Sequence, residues 1–283
     1  MSETLTDVRS LSQARLRGFV LPREHGAWGI LLVPLVTGST VALLRSGTLL
    51  PVLLFLVASI ALFCLRTPVE ALLGTSVQRV DNSAEQRIVA TAIAGYAVVA
   101  CLTLATLLWN EHHSGLLVLG AIAALSFGVQ AALRKLSRAL RMTSQLVGLV
   151  GLTSTAAGAY YVSTGRLDTP AFMIWLANWL FAANQVHMVQ LRIHNAKVDG
   201  FRKRLACGWK FLLGEALTII LLIGLFYFGL LPKMSVIAFH PMLLRGFVWF
   251  FKKPRPLRVR RLGWMELGFA LIFGVMFVSG YIR

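Results

Sequence analysis

Nine apolar runs, each about long enough to cross a bilayer as a helix, recur along this chain at near-regular spacing and limit its fold more than any other feature. They cover residues 26–45, 50–66, 88–109, 115–133, 143–163, 170–191, 211–230, 234–250 and 262–281. Inside a bilayer no water is present to satisfy backbone N–H and C=O groups, so runs of this kind must close their hydrogen bonds internally, as helices. Ser46-Gly47, Ser114-Gly115, Thr164-Gly165 with Pro170, and Leu231-Pro232 supply turn and breaker chemistry between them. The expectation is an all-α, polytopic helical bundle of nine spans. Residues 1–22 form a cytoplasmic N-terminal arm and 23–283 a single transmembrane domain. Arg15 and Arg17 precede a run without a small-residue cleavage site, so no removable signal peptide is expected.

Charge then sets the orientation. Only 14% of the 283 residues are charged, against roughly 25% in soluble domains, which excludes an ordinary soluble class. The formal net charge of +17 would suit nucleic acid if it lay on one surface. Instead the basic residues fall in short clusters between apolar runs, the distribution of cytoplasmic loops that also meet anionic phospholipid headgroups. With the N-terminus inside, 23 of the 28 basic residues lie on inside segments. The outside connections hold Arg45, Arg166, Lys233 and Arg283, and Arg245 lies within the eighth span. The nine-span plan, N-terminus cytoplasmic and C-terminus outside, therefore obeys the positive-inside rule at every loop. Cys64, Cys101 and Cys207 have neither pairing nor metal-ligand spacing, so no disulfide framework or zinc site is implied, and the chain as a whole is expected to carry no cofactor or resident metal.

Candidate site residues gather at the inside ends of three spans. Arg23, Glu24 and His25 run directly into the first span, and ionisable groups at that depth mark function by default. Adjacent residues point apart on a helix, so Glu24 and His25 do not form one dyad; a helix-cap role for them stands beside a cavity-facing one. Trp28 reads as an interfacial anchor or a stacking surface. Arg66 and Glu70 stand at i, i+4, the spacing of a helix salt bridge, with Pro68 between them to kink or end the helix. In the sixth span Asn184, His187 and His194 share one face and Arg192 lies at its flank. That face reads as a polar wall for an anionic or carbonyl headgroup, as two histidines that ligate a transition metal, or as a wet helix end. Glu215, Arg245 and Glu266 lie inside their spans, and Arg245 with Glu215 or Glu266 is expected to form a buried pair. Ser144, Gly148, Gly151, Thr155 and Gly158 on the fifth span are expected to serve close helix packing. The inside loops at 67–87 and 192–210 are the longer ones, where function concentrates.

The opening PREHGAWGILLVPL, Arg66 with Pro68, and Arg245 followed by a basic link and Leu262-Gly263-Trp264-Met265-Glu266 resemble the YwiC-like family of bacterial membrane proteins. The nine-helix plan, with loops after helices two and six, is similar to the UbiA superfamily of intramembrane prenyltransferases. That similarity implies the bacterial inner membrane and an isoprenoid or other lipid as substrate. In those enzymes aspartate-rich motifs in the two loops hold magnesium and a prenyl diphosphate. Here the loops carry only Glu70, Asp81 and Glu85, and Asp199 alone, too few oxygen ligands for a two-magnesium cage. Two expectations follow. In one, a divergent UbiA-like enzyme uses His25, His187 and His194 as acid/base partners, with Arg23, Glu24, Trp28, Arg66, Glu70, Asn184 and Arg192 lining a cytoplasm-facing cavity. In the other, the same cavity binds or transports lipid without chemistry.

Overall fold

The computed structural model describes residues 18–22, 25–45, 47–74, 80, 82–109, 114–252 and 259–282. Among these there is no strand. The helices are α1 (His25–Leu44), α2 (Leu49–Leu72), α3 (Ser83–Leu108), α4 (Gly115–Leu136), α5 (Arg141–Thr164), α6 (Thr169–His194), α7 (Phe201–Tyr227), α8 (Lys233–Ile237), α9 (His240–Phe251) and α10 (Val259–Ser279). All nine apolar runs are helical, the eighth as the pair α8 and α9. Seven segments among the described residues are long and apolar enough to cross a membrane: α2, α3, α4, α5, α7, the α8–α9 pair and α10. The apolar α1 is described in full only from Trp28 to Leu44, and α6 carries Asn178, Asn184 and Gln185 in its interior. The chain is a multi-pass, all-helical membrane protein.

Local sequence explains the helix ends. The Asn82 side chain accepts the Glu85 N–H at 2.8 Å and starts α3. Asp168 accepts the Ala171 N–H at 3.2 Å with Pro170 in the first turn of α6. Gly165, at φ 69°, closes α5 in the left-handed conformation that a side chain would resist. Pro241 has no N–H for the carbonyl of Ile237, and the eighth span breaks there. Pro68 does not end α2, which continues to Leu72. A proline removes one intrahelical bond, and the Arg66–Glu70 pair bridges the turn around it.

Two expected loops are shorter than the sequence suggested. The α6 and α7 helices run on past the membrane-length core, so the connection shrinks from 192–210 to the six residues Asn195–Gly200. Arg and Lys are good helix formers whose stems lie along apolar surface while their charges reach water, so a basic stretch need not leave the helix. Likewise α2 and α3 leave only 73–82 between them. Phe19, assigned to the N-terminal arm, is fully buried against Ala71 and Val89, so packing begins before residue 22.

The bundle is built around α5. In its membrane window 72% of the residues are buried, against 11% in α3, and α5 packs on α1, α2, α4 and α6. Its small residues permit this. Gly148 faces the Gln130 side chain, Gly151 faces Ser126, and Gly158 faces the Phe55 ring, each too closely to admit a Cβ. In return Gly38 of α1 lies directly on the backbone carbonyl of Ala156. Trp175 and Trp179 donate from α6 to the Val150 and Leu146 carbonyls of α5, both at 3.1 Å. Asn178 donates to Thr37 at 3.0 Å and joins α6 to α1. Exposed Val98 and Leu102 on α3, Leu125 on α4, Leu217 and Ile220 on α7 and Val275 on α10 present the apolar outer surface that lipid covers.

Candidate functional site

The site residues converge where α6, α7, α9 and α10 meet. Glu215 lies in the middle of α7, fourteen residues and roughly 21 Å from the Phe201 end at 1.5 Å per residue, and it is fully buried. Its Oε1 accepts a 2.7 Å hydrogen bond from Asn184 Nδ2 on α6. Gly246 on α9 makes room for it, because a Cβ there would fall 2.5 Å from Glu215 Oε1. One turn from Asn184, His187 meets the Phe211 ring edge-on at 5.2 Å, beside Gly214.

Arg245 projects from the short helix α9 and forms an ion pair with Glu266 of α10. The side chains are 8% and 11% exposed. Phe269 lies under the guanidinium at 4.6 Å from the ring centre, and Gln185 of α6 donates to the Glu266 carbonyl at 2.8 Å. Arg192, two turns further along α6 and half-buried, lies close enough to feel the charges of both Glu266 and Arg245. On α1, Gly29 approaches Leu267, the neighbour of Glu266, to 3.8 Å from its would-be Cβ. The start of α1 therefore reaches the same level of the bundle.

Several polar atoms in this cluster have no partner. Asn184 Oδ1, Glu215 Oε2, Glu266 Oε1, and Nε and Nη2 of Arg245 are all buried and unpaired. Those are three amide or carboxyl oxygens and two guanidinium nitrogens in one buried region, each costing on the order of 1–3 kcal/mol if nothing meets it. A group that both donates and accepts hydrogen bonds would satisfy them.

The residues predicted from sequence separate into distinct environments. Asn184, His187 and Arg192 join the cluster. His194 does not: it is exposed at the end of α6, and its Nδ1 lies 2.8 Å from the Gln190 carbonyl of its own helix. Arg66 and Glu70 pair with one another, Nε to Oε1 at 2.7 Å, on a helix that packs on α3, α5 and α1. Trp28 donates to the Pro22 carbonyl at 3.3 Å and stacks edge-on to Phe63 at 5.1 Å, so it ties α1 to α2. Arg23, Glu24 and the His25 side chain lie outside the described residues. Arg245 and Glu266 form the expected buried pair. The sequence reading missed that Glu215 and the pair share one site with Asn184; an intramembrane carboxylate on each of two spans was the available signal.

A cleft of about 480 Å³ opens at the opposite end of the bundle, lined by residues including Arg45, Pro232, Lys233 and Tyr281. None of the predicted site residues lines it.

No curated protein matches the chain in a sequence search. Residues 21–160 match the family model described as YwiC-like protein. The match spans α1 to most of α5, while the Asn184–Glu215–Arg245–Glu266 cluster lies beyond it. Over residues 21–160 the chain is similar to the YwiC-like protein family.

Proposed function

We propose that the protein is a non-catalytic carrier or binding protein for an isoprenoid or other lipid in the bacterial inner membrane, with its N-terminus cytoplasmic and its C-terminus outside. The polar headgroup docks on Asn184, Glu215, Arg245 and Glu266, and the tail lies among the helices. One observation carries the reading: a buried cluster of unpaired donors and acceptors contributed by four helices. Charged groups at this depth persist where they serve a substrate or ion path. A headgroup hydroxyl would accept from Arg245 and donate to Glu266 or Glu215, while a carbonyl oxygen would accept from Arg245. His187 and Arg192 stand between the cluster and the inside end of α6. The broken eighth span supports a carrier, since discontinuous helices place backbone and side chains around intramembrane sites.

A UbiA-like reaction has less support. Loop carboxylates that would hold magnesium are engaged locally: Glu70 with Arg66, and Asp199 with the Gly200 N–H at 2.9 Å. Glu85 is buried in the first turn of α3.

Native mass spectrometry with lipid extraction tests the proposal on gently purified protein, comparing wild type with Asn184→Leu, His187→Ala/Arg192→Ala and Glu70→Gln. The expected result is a specific co-purifying lipid in the wild type and in Glu70→Gln that is lost from the other two. Identical bulk phospholipids in all four would refute it.

A further inference from the structure

We propose that Glu215 is a proton-binding site at the centre of the membrane, and that its proton decides which carboxylate Arg245 serves. For its purpose this rests on the carrier reading; for its chemistry it rests on the cluster alone.

The charge count inside the bundle leads to it. Arg245 and Glu266 form a neutral pair. Glu215 adds a second carboxyl, fully buried, whose one hydrogen bond among the described residues is from the neutral amide of Asn184. An ionised carboxylate so placed carries a desolvation penalty of several kcal/mol that one amide bond does not offset. The groups facing it are few. From α6 come Asn184, His187 and, further out, Arg192; from α9 comes Arg245; from α10 comes Glu266 through its pair with Arg245. Arg245 is the only fixed cation among the described residues that reaches the centre of this group, and Glu266 occupies it.

Two arrangements of Arg245 follow. With a proton on Glu215 Oε2, which has no partner, the carboxyl is neutral and Arg245 rests on Glu266. When that O–H bond breaks and the proton passes to water at the Arg192 end, Glu215 becomes an anion next to a guanidinium whose Nε and Nη2 are unpaired. Arg245 is then drawn from Glu266 towards Glu215. Nothing is oxidised or reduced. The helix that carries Arg245 is a separate twelve-residue segment, broken from α8 at Ala238–Phe239, and Gly246 gives it a surface without a side chain against Glu215. A change of partner at Arg245 thus becomes a movement of α9 against α7 and α10, the bistable element that a coupled carrier requires.

The test is a pH titration by infrared difference spectroscopy of protein in nanodiscs of phosphatidylethanolamine and phosphatidylglycerol, with wild type beside Glu215→Gln, Glu266→Gln and Glu70→Gln. The expected result is a protonated-carboxyl C=O band that disappears as pH rises, is lost in Glu215→Gln, survives in Glu70→Gln, and disappears at lower pH in Glu266→Gln, which frees Arg245 for Glu215. No such band in the wild type, or a band unchanged in Glu215→Gln, overturns the proposal. Thermal stability provides a second reading. A fold that keeps a proton the unfolded chain has released becomes less stable as pH rises above the ordinary carboxylate range, and Glu215→Gln should remove that decline. A wild type whose stability does not fall over that range counts against the proposal. Retention of a specific lipid without the band overturns the proton site and leaves the carrier; the band without any retained lipid supports the proton site and overturns the carrier.

Discussion

Arg245 allows the sharpest quantitative test of the site. Replacing it with Met keeps most of the side-chain volume over Phe269 and removes the charge, leaving Glu266, whose side chain is 11% exposed, without its partner. Breaking a buried pair from one side costs about 3–5 kcal/mol. At 1.4 kcal/mol per factor of ten, this is a hundredfold or greater loss in the folding equilibrium. The competing description treats the contact as an ordinary intramembrane hydrogen bond, for which coupling averages about 0.6 kcal/mol and reaches about 1.7. A double-mutant cycle separates them: Arg245→Met, Glu266→Met and the pair of changes, unfolded by detergent titration in mixed micelles and followed by circular dichroism. The expected coupling is at least about 2 kcal/mol, and the double variant should be more stable than either single one, because it buries no unpaired charge. Additive losses, or a single variant within about 0.5 kcal/mol of wild type, would refute the reasoning.

Three further predictions use other parts of the bundle. Gly38→Ala should destabilise by about 1–3 kcal/mol in the same titration, because its Cβ meets the Ala156 carbonyl and the backbone has to shift; Gly120→Ala, with nothing within 4 Å, should be neutral or gain up to about 1 kcal/mol of helix propensity. Arg204 is buried, donates to the Val198 carbonyl at 3.0 Å and the Trp249 carbonyl at 2.6 Å, and also reaches Lys252, so it holds the last turn of α9. Arg204→Lys loses the guanidinium fork and should cost about 1.5–3 kcal/mol of stability, with Arg204→Ala at least as severe. Arg66→Ala should change stability by no more than about 0.5 kcal/mol, since that i, i+4 pair is 37% exposed at both ends; a larger loss would move Arg66 from a helix-surface role to a site role.

The sequence by itself determined the elements. Bilayer-length apolar runs must be helices whatever their neighbours are, because the backbone has no other partner in lipid; Asn82, Asp168 and Gly165 fixed their ends through bonds to residues three or four away, and Pro241 through the bond it cannot make. The small-residue pattern of α5 likewise predicted a packing role, since missing side chains are what let helices approach. Site residues were legible only as candidates. Asn184, His187 and His194 share one helical face, and that face cannot say which part of it is buried. The tertiary structure separated Asn184, held against Glu215, from His194, exposed at the helix end. It also joined Glu215, Arg245 and Glu266, from three different helices, to a residue of a fourth. Such a meeting depends on which helices pack together, and a period of 3.6 along one helix carries no information about its neighbour.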